Sequence, residues 1–214
     1  MKTIKKNFFI SALFISLFIL WTLLLLCIDV RPIGPRESVV GFSSMNSYVH
    51  NLIGVNFTLY NITDWLGLVP FCFIISFGII GLIQWIKRKN ILKVDFNILM
   101  LGIFYLIVMA VYLFFEIFPI NYRPVLINGY LEASYPSSTT MIVMCVIPTT
   151  IMQLNSRIKN SVFKKCIIVM LIIFIIFMVI GRLISGVHWI SDIIGGALFS
   201  SGIVILYHSV CKLR

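Results

Sequence analysis

Charge is scarce in this chain. Of its 214 residues only 11% are Asp, Glu, Lys or Arg, whereas 60% are hydrophobic and the mean hydropathy is +1.07. A soluble domain of this size needs far more polar surface, so that class is excluded. Cysteine is present but unorganised. Cys27, Cys72, Cys145, Cys166 and Cys211 stand singly in or beside apolar runs. They lack zinc-type spacing, and an odd, scattered set is no disulfide framework, so they read as small apolar residues. Internal repeats and low-complexity runs are also missing. No small-x-small cleavage site follows the first apolar stretch, which is longer than the roughly 7–15 residues of a signal-peptide core. That stretch reads as an uncleaved first span.

What is there is apolar length. Six segments, at about 8–28, 66–86, 96–118, 138–154, 166–184 and 190–210, approach or reach the roughly 17–25 residues that cross a bilayer as a helix. The expected fold is all-α: a single membrane-embedded domain over 1–214, with six transmembrane helices in a bundle. The fourth segment is the least apolar, with Pro148 and several Thr and Ser residues. Its polar groups are tolerable if they face the bundle interior.

The net charge of +10 would suit a nucleic-acid partner, but its distribution argues for a membrane instead. Lys2, Lys5 and Lys6 precede the first segment. Lys87, Arg88, Lys89 and Lys93 follow the second, Arg157, Lys159, Lys164 and Lys165 follow the fourth, and Lys212 and Arg214 end the chain. Thirteen of the seventeen basic residues, including all ten lysines, therefore lie on one side. The positive-inside rule puts that side and both termini in the cytoplasm, as an even number of spans requires. The other side, expected to be extracytoplasmic, holds a 29–65 segment, a 119–137 loop and a short turn near 185–189. The 29–65 segment is expected to contain a short helix lying on the outer membrane surface, as a cover or a substrate gate.

Ionisable groups inside apolar sequence are costly and mark sites. Arg182, His188 and Asp192 fall in one stretch at the junction of the last two segments. On a helix, His188 and Asp192 would lie one turn apart on one face. The carboxylate could then take the proton of one ring nitrogen and leave the other free as a nucleophile. Arg182 and Arg123 are two of the four basic residues on the outer side, and guanidinium forks suit phosphate oxygens. Ser137 and Ser138 stand where a helix should begin, so their hydroxyls and free backbone N–H groups suit an anion or a plain cap. His50 and His208 have no such company. Gly195, Gly196 and Gly202 read as close-packing positions.

These residues resemble the type 2 phosphatidic acid phosphatase superfamily, which also includes the vanadium haloperoxidases. Its members carry three motifs: Lys, six residues, Arg-Pro; then Pro-Ser-Gly-His; then Ser-Arg, five residues, His, three residues, Asp. The third is matched at Arg182, His188 and Asp192, with Gly181 in place of Ser. The first keeps Arg123-Pro124 and the second keeps Pro136-Ser137, so the motif core covers about 116–192. The resemblance implies an integral-membrane phosphatase acting on a lipid phosphate in the bilayer. His188 would attack phosphorus and form a phosphohistidine, and Asp192 would orient it. Arg123, Arg182 and the groups around Ser137 and Ser138 would hold the phosphoryl oxygens. No metal or organic cofactor is implied.

Two positions depart from the family pattern. Glu116 stands where the first-motif Lys belongs, and it either pairs with Arg123 or points elsewhere. Thr139 stands at the second-motif His, the acid that would protonate the leaving oxygen. Positioned acids contribute about 10²–10⁴-fold, and a threonine hydroxyl is too weak for the task. Three readings follow. Glu132, Glu116 or Tyr135 supplies the proton. Or the substrate is a diphosphate, such as a polyprenyl diphosphate, whose phosphate leaving group needs little protonation. Or the chain is a noncatalytic lipid-phosphate binder. A transporter is disfavoured, because the polar residues stay at one end of the spans. Sequence leaves open the lipid, water against another acceptor, and the oligomeric state.

Overall fold

A bilayer core offers the backbone no hydrogen-bond partners, so long apolar runs must satisfy themselves as helices. The computed structural model describes residues 2–213; Arg214 and the side chain of Lys2, both counted above among the basic residues of one side, lie outside the described residues. Eight helices follow in order: α1 (Lys2–Cys27), α2 (Ser43–Ile53), α3 (Phe57–Leu66), α4 (Val69–Arg88), α5 (Phe96–Ile117), α6 (Ser138–Arg157), α7 (Ser161–Ile184) and α8 (Ile190–Cys211). Among the described residues there is no strand, only isolated bridges. Six segments are long and apolar enough to span a membrane, with α3 and α4 joining into one of them, Phe57–Arg88. The all-α, six-span expectation holds, and the chain is a multi-pass membrane protein.

Local chemistry sets the helix ends. Asn160 Oδ1 accepts from the Phe163 N–H at 3.1 Å, so α7 starts at Ser161. Apolar content alone placed that start near 166, because Lys164 and Lys165 sit in the first turns. Asn56 Oδ1 caps α3 at 2.9 Å from the Leu59 N–H. Spans alternate direction, so the loops after α4 and α6 share one end of the bundle with the start of α1 and the end of α8, and the 28–56, 118–137 and 185–189 connections share the other.

The least apolar span, α6, is one of the most enclosed. Its Thr140, Thr149, Thr150 and Gln153 are all buried. Thr149 Oγ1 lies 2.9 Å from the Tyr105 hydroxyl, and Gln153 Nε2 donates to the Tyr207 hydroxyl at 2.6 Å. Polar side chains that bond across to neighbouring helices, as Thr149 and Gln153 do, let a span have low hydropathy. Its partner in the core is α8, which packs against both α1 and α6. Small residues make this possible, since a Cβ at Gly202 would come within 2.8 Å of Ile15 Cγ1. Outward faces of the other spans carry exposed Ile, Leu and Phe, as lipid contact demands.

The 29–65 segment differs from the expected single surface helix. It forms two helices with different duties. Amphipathic α2 buries Ser43 and Asn46 against the bundle and exposes Tyr48 and Leu52. The second, α3, packs on α7 and runs on into α4. Gly181 admits it: a Cβ there would lie 2.9 Å from the Thr63 methyl carbon.

Candidate functional site

The site is assembled at the end of the bundle away from the lysine-rich loops. Its framework is the 119–137 loop, folded back on itself. A bridge pairs Tyr122 with Ala133, the Arg123 N–H donates to the Glu132 carbonyl at 3.0 Å, and the Ser134 N–H donates to the Asn121 carbonyl at 2.9 Å. This register sets Arg123 opposite Glu132 and Asn121 opposite Ser134. Both of the latter reach α8. Gly195 and Gly196 let the 135–137 segment lie against that helix, where a Cβ at Gly196 would meet the Ser137 carbonyl at 3.2 Å.

Asp192 is fully buried and saturated with donors. Its Oδ2 accepts from the Trp189 N–H at 2.9 Å, capping α8, and from the Ser134 hydroxyl. Its Oδ1 accepts from Asn121 Nδ2 and the Ser191 hydroxyl, each at 3.3 Å. A carboxylate enclosed away from water needs such a cage. The cage extends further, because Asn46 of α2 exchanges hydrogen bonds with the backbone N–H and hydroxyl of Ser191.

His188 does not meet Asp192 in the way its spacing predicts. It precedes α8, so the one-turn rule does not apply, and its Nδ1 stands 3.8 Å from Asp192 Oδ2. Ser134 fills the gap, with its Oγ 3.0 Å from Nδ1. The other ring nitrogen, Nε2, is buried and has no partner. Burial above all, and then the charges of Arg123 and Arg182, push the His188 imidazole well below its ordinary pKa of 6.5. At neutral pH the ring is therefore uncharged, with one of its two nitrogens free of a proton.

Arg123 forms an ion pair with Glu132 at 3.2 Å, not with Glu116, and its Nε and Nη1 are buried without partners. Arg182 is almost completely buried at the end of α7. It donates through Nη1 to Thr63 and through Nη2 to Asp64, both at 3.3 Å, and its Nε has no partner. The Tyr60 ring lies under both guanidinium groups, at 4.8 Å from Arg182 and 5.8 Å from Arg123. A cavity of about 230 Å³ opens beside these groups, lined among others by Arg123, Glu116, Glu132, Ser134, Ser138 and His188. Arg182 is not part of that lining.

The remaining expected residues divide. The Ser137 hydroxyl accepts from the Thr140 hydroxyl at 3.0 Å, and the Ser137 N–H donates to the Asp192 carbonyl at 3.1 Å. Ser137 is thus a cap and an anchor, and it does not line the cavity. Ser138 borders the cavity at the first turn of α6, where the Ser138 and Thr139 amides have no intrahelical carbonyl to serve. The Thr139 side chain is half-buried and does not line the cavity. Tyr135 lines it, but Thr22 donates to the Phe18 carbonyl, so the Tyr135 hydroxyl donates to Thr22 at 2.7 Å. Burial also pushes its phenol well above the ordinary value, which makes it a weaker acid. His50 packs on the Trp189 ring at 5.4 Å.

Sequence reasoning missed Ser134, Tyr60, Thr63 and Asp64. Nothing in the spacing of Ser134 marks it, since its role depends on the loop register. Asp64 was visible as an acidic residue next to an apolar span, the signal that had singled out Arg182.

The similarities to known proteins concern the fold and the C-terminal part of the chain. Residues 117–213 match the family model of the PAP2 superfamily. The fold is similar to the crystal structure of a transmembrane PAP2-type phosphatidylglycerolphosphate phosphatase from Bacillus subtilis, with a TM-score of 0.65 and 16% identity over 95% of this chain and 96% of that one. Among curated proteins no sequence match is found.

Proposed function

We propose that this PAP2 superfamily chain is an integral-membrane lipid phosphate or polyprenyl diphosphate phosphatase that works through a phosphohistidine on His188. The observation that carries this reading is the unpartnered, buried Nε2 of His188 beside unpartnered guanidinium nitrogens of Arg123, at one cavity. Buried polar atoms without partners are rare, and two such groups at one cavity suit an absent anion. The Nε2 lone pair attacks phosphorus as the bond to the leaving oxygen breaks. Arg123, Arg182 and the first-turn amides of α6 stabilise the charge on the phosphoryl oxygens. Water then attacks phosphorus, and the P–N electron pair returns to the ring. The basic loops at the other end support a site outside the cytoplasm, at headgroup depth.

A diphosphate fits the absence of the second-motif His, since its phosphate leaving group departs without much protonation. For a phosphate monoester the cavity offers Glu116 and Glu132 as acids. The second reading, a noncatalytic lipid-phosphate binder, is favoured by Thr139 alone.

The test is phosphate release by the purified protein in detergent from a panel of lipid mono- and diphosphates, with His188→Ala as control. Release from diphosphates only, abolished in the variant, supports catalysis without the missing acid. Release from monoesters too means that a cavity carboxylate supplies the proton. Binding that survives in His188→Ala, with no turnover by either protein, would replace the enzyme with the binder.

A further inference from the structure

A nucleophilic imidazole needs its proton held on the far nitrogen. Here the residue expected to hold it is out of reach. Asp192 Oδ2 turns back to cap α8 through the Trp189 N–H, which leaves 3.8 Å to His188 Nδ1. That distance is too long for a hydrogen bond. The Ser134 hydroxyl touches both groups, is almost completely buried, and is fixed by the pairing of its backbone with Asn121.

A hydroxyl has one proton. A carboxylate is acceptor-only, so Ser134 gives that proton to Asp192. Its oxygen must then accept, and His188 Nδ1 must donate. The opposite tautomer would set two acceptors, Nδ1 and the carboxylate, against a single proton. It would also put a hydrogen on Nε2, which has no partner to receive it. We propose that Ser134 is a positioning residue that couples His188 to Asp192 and holds the imidazole in the Nδ1–H tautomer. Its effect on rate rests on the reading of His188 as nucleophile; its effect on the tautomer does not.

In the attack the Nε2 pair forms the N–P bond while the leaving oxygen departs with the P–O pair. The ring becomes cationic and keeps its Nδ1 proton. The negative charge of Asp192 stabilises it through the oriented hydroxyl, and no proton changes owner. The His188–Asp192 pair is thus coupled through one O–H.

The experiment combines kinetics with 15N NMR of the histidine-labelled protein. The chain has three histidines, so His188 is assigned by loss of its signals in His188→Ala. In the wild type, His188 should carry its proton on Nδ1 and show a bare Nε2. Ser134→Ala should mix the tautomers. It should also lower kcat by about 10- to 100-fold, the worth of one hydrogen bond to a charged group, with KM little changed. The other charged groups facing the ring or its cavity, Arg123, Arg182, Asp192, Glu116 and Glu132, are untouched. Ser134→Thr, which keeps the hydroxyl, should restore rate and tautomer. A wild-type His188 protonated on Nε2 would overturn the proposal, as would a Ser134→Ala protein with wild-type kcat and an intact Nδ1 proton. If no phosphate lipid is turned over, the spectra still decide the proposal, while the phosphatase reading fails separately. If Ser134→Ala does not fold, the wild-type spectrum decides it alone.

Discussion

Replacing Gly195 by Ala tests the packing on which the site depends. A Cβ there would lie 2.4 Å from Tyr135 Cε2, and 2.8 Å from both its Cζ and its hydroxyl oxygen. Carbon atoms rest about 3.5–4.0 Å apart, so the ring must move by roughly 1 Å. It has little room. It stacks on Phe18 at 6.3 Å, meets Phe115 edge-on at 5.5 Å, and is tied to Thr22. The displacement therefore passes to the backbone of 134–136 or to α8. Overpacking of this kind costs about 1–3 kcal/mol. Ser134 is the next residue. Its 3.0 Å contact with His188 Nδ1 has about 0.5 Å to spare before it ceases to be a hydrogen bond. Gly195→Ala should thus lower both the thermal unfolding midpoint in detergent and the rate of phosphate release, the latter by about tenfold or more. Tyr135→Leu, which removes the ring, should relieve the clash. The double variant should then be more stable than the sum of the single effects by about 0.5–3 kcal/mol, the range for residues in contact. A Gly195→Ala protein with wild-type midpoint and rate, or strict additivity in the cycle, would refute the reasoning.

Other outcomes follow from charge. The folded chain keeps His188 neutral well below its ordinary value, whereas the unfolded chain binds a proton near about pH 6.5. The unfolded state then holds more protons, so stability should fall as pH drops below about 6.5. Unfolding midpoints from pH 7.5 to pH 5 should show a smaller loss in His188→Ala, and equal slopes would reject the assignment. Asp64 is more than half exposed and pairs with the buried Arg182, for which, on the proposed function, it would compete with a phosphate. Such exposed pairs are worth about 0.2–1 kcal/mol, so Asp64→Asn should tighten inhibition by inorganic phosphate by at most about fivefold; weaker inhibition would make Asp64 a support and not a competitor. Glu116→Lys puts at an exposed position the cation that the resembled motif carries. It should lower KM for phosphate monoesters several-fold with no change in unfolding midpoint, and an unchanged KM would mean that the rim does not sense the substrate.

The fold was legible because bilayer physics acts on length and apolarity, which need no tertiary knowledge. The six spans, the buried polar face of α6 and the packing glycines Gly195, Gly196 and Gly202 follow from that alone. Arg182, His188 and Asp192 stood out because charge in apolar sequence is costly. What escaped needed a register. Ser134 reaches His188 only because Tyr122 pairs with Ala133. A slip of one residue would turn the Ser134 side chain to the other face. The direct His188–Asp192 contact failed for a related reason. The four-residue spacing assumes a continuous helix, whereas α8 begins two residues after the histidine, and the aspartate spends one oxygen on the cap.

The arrangement of charge bears on which phosphates suit this site. Each guanidinium brings its own carboxylate, Glu132 for Arg123 and Asp64 for Arg182, and Glu116 adds a third where the family has a lysine. The two arginines are therefore not a surplus of positive charge that draws in any anion. An incoming group must displace partly exposed carboxylates from the arginines they accompany. It must also use the nitrogens left open, Nε and Nη1 of Arg123 and Nε of Arg182. A diphosphate has more charged oxygens for that exchange than a monoester, and its leaving group makes no demand on the acid that Thr139 cannot be. Both departures from the family motifs, at 116 and at 139, thus bear against monoesters and in favour of diphosphates. If so, the two substitutions should be coupled. Glu116→Lys alone should improve monoester binding without raising kcat, because the proton for the leaving alkoxide would still be missing. Kinetics on a monoester and a diphosphate of the same lipid would show it. A rise in monoester kcat from Glu116→Lys would mean that charge, not the absent acid, limits this chain.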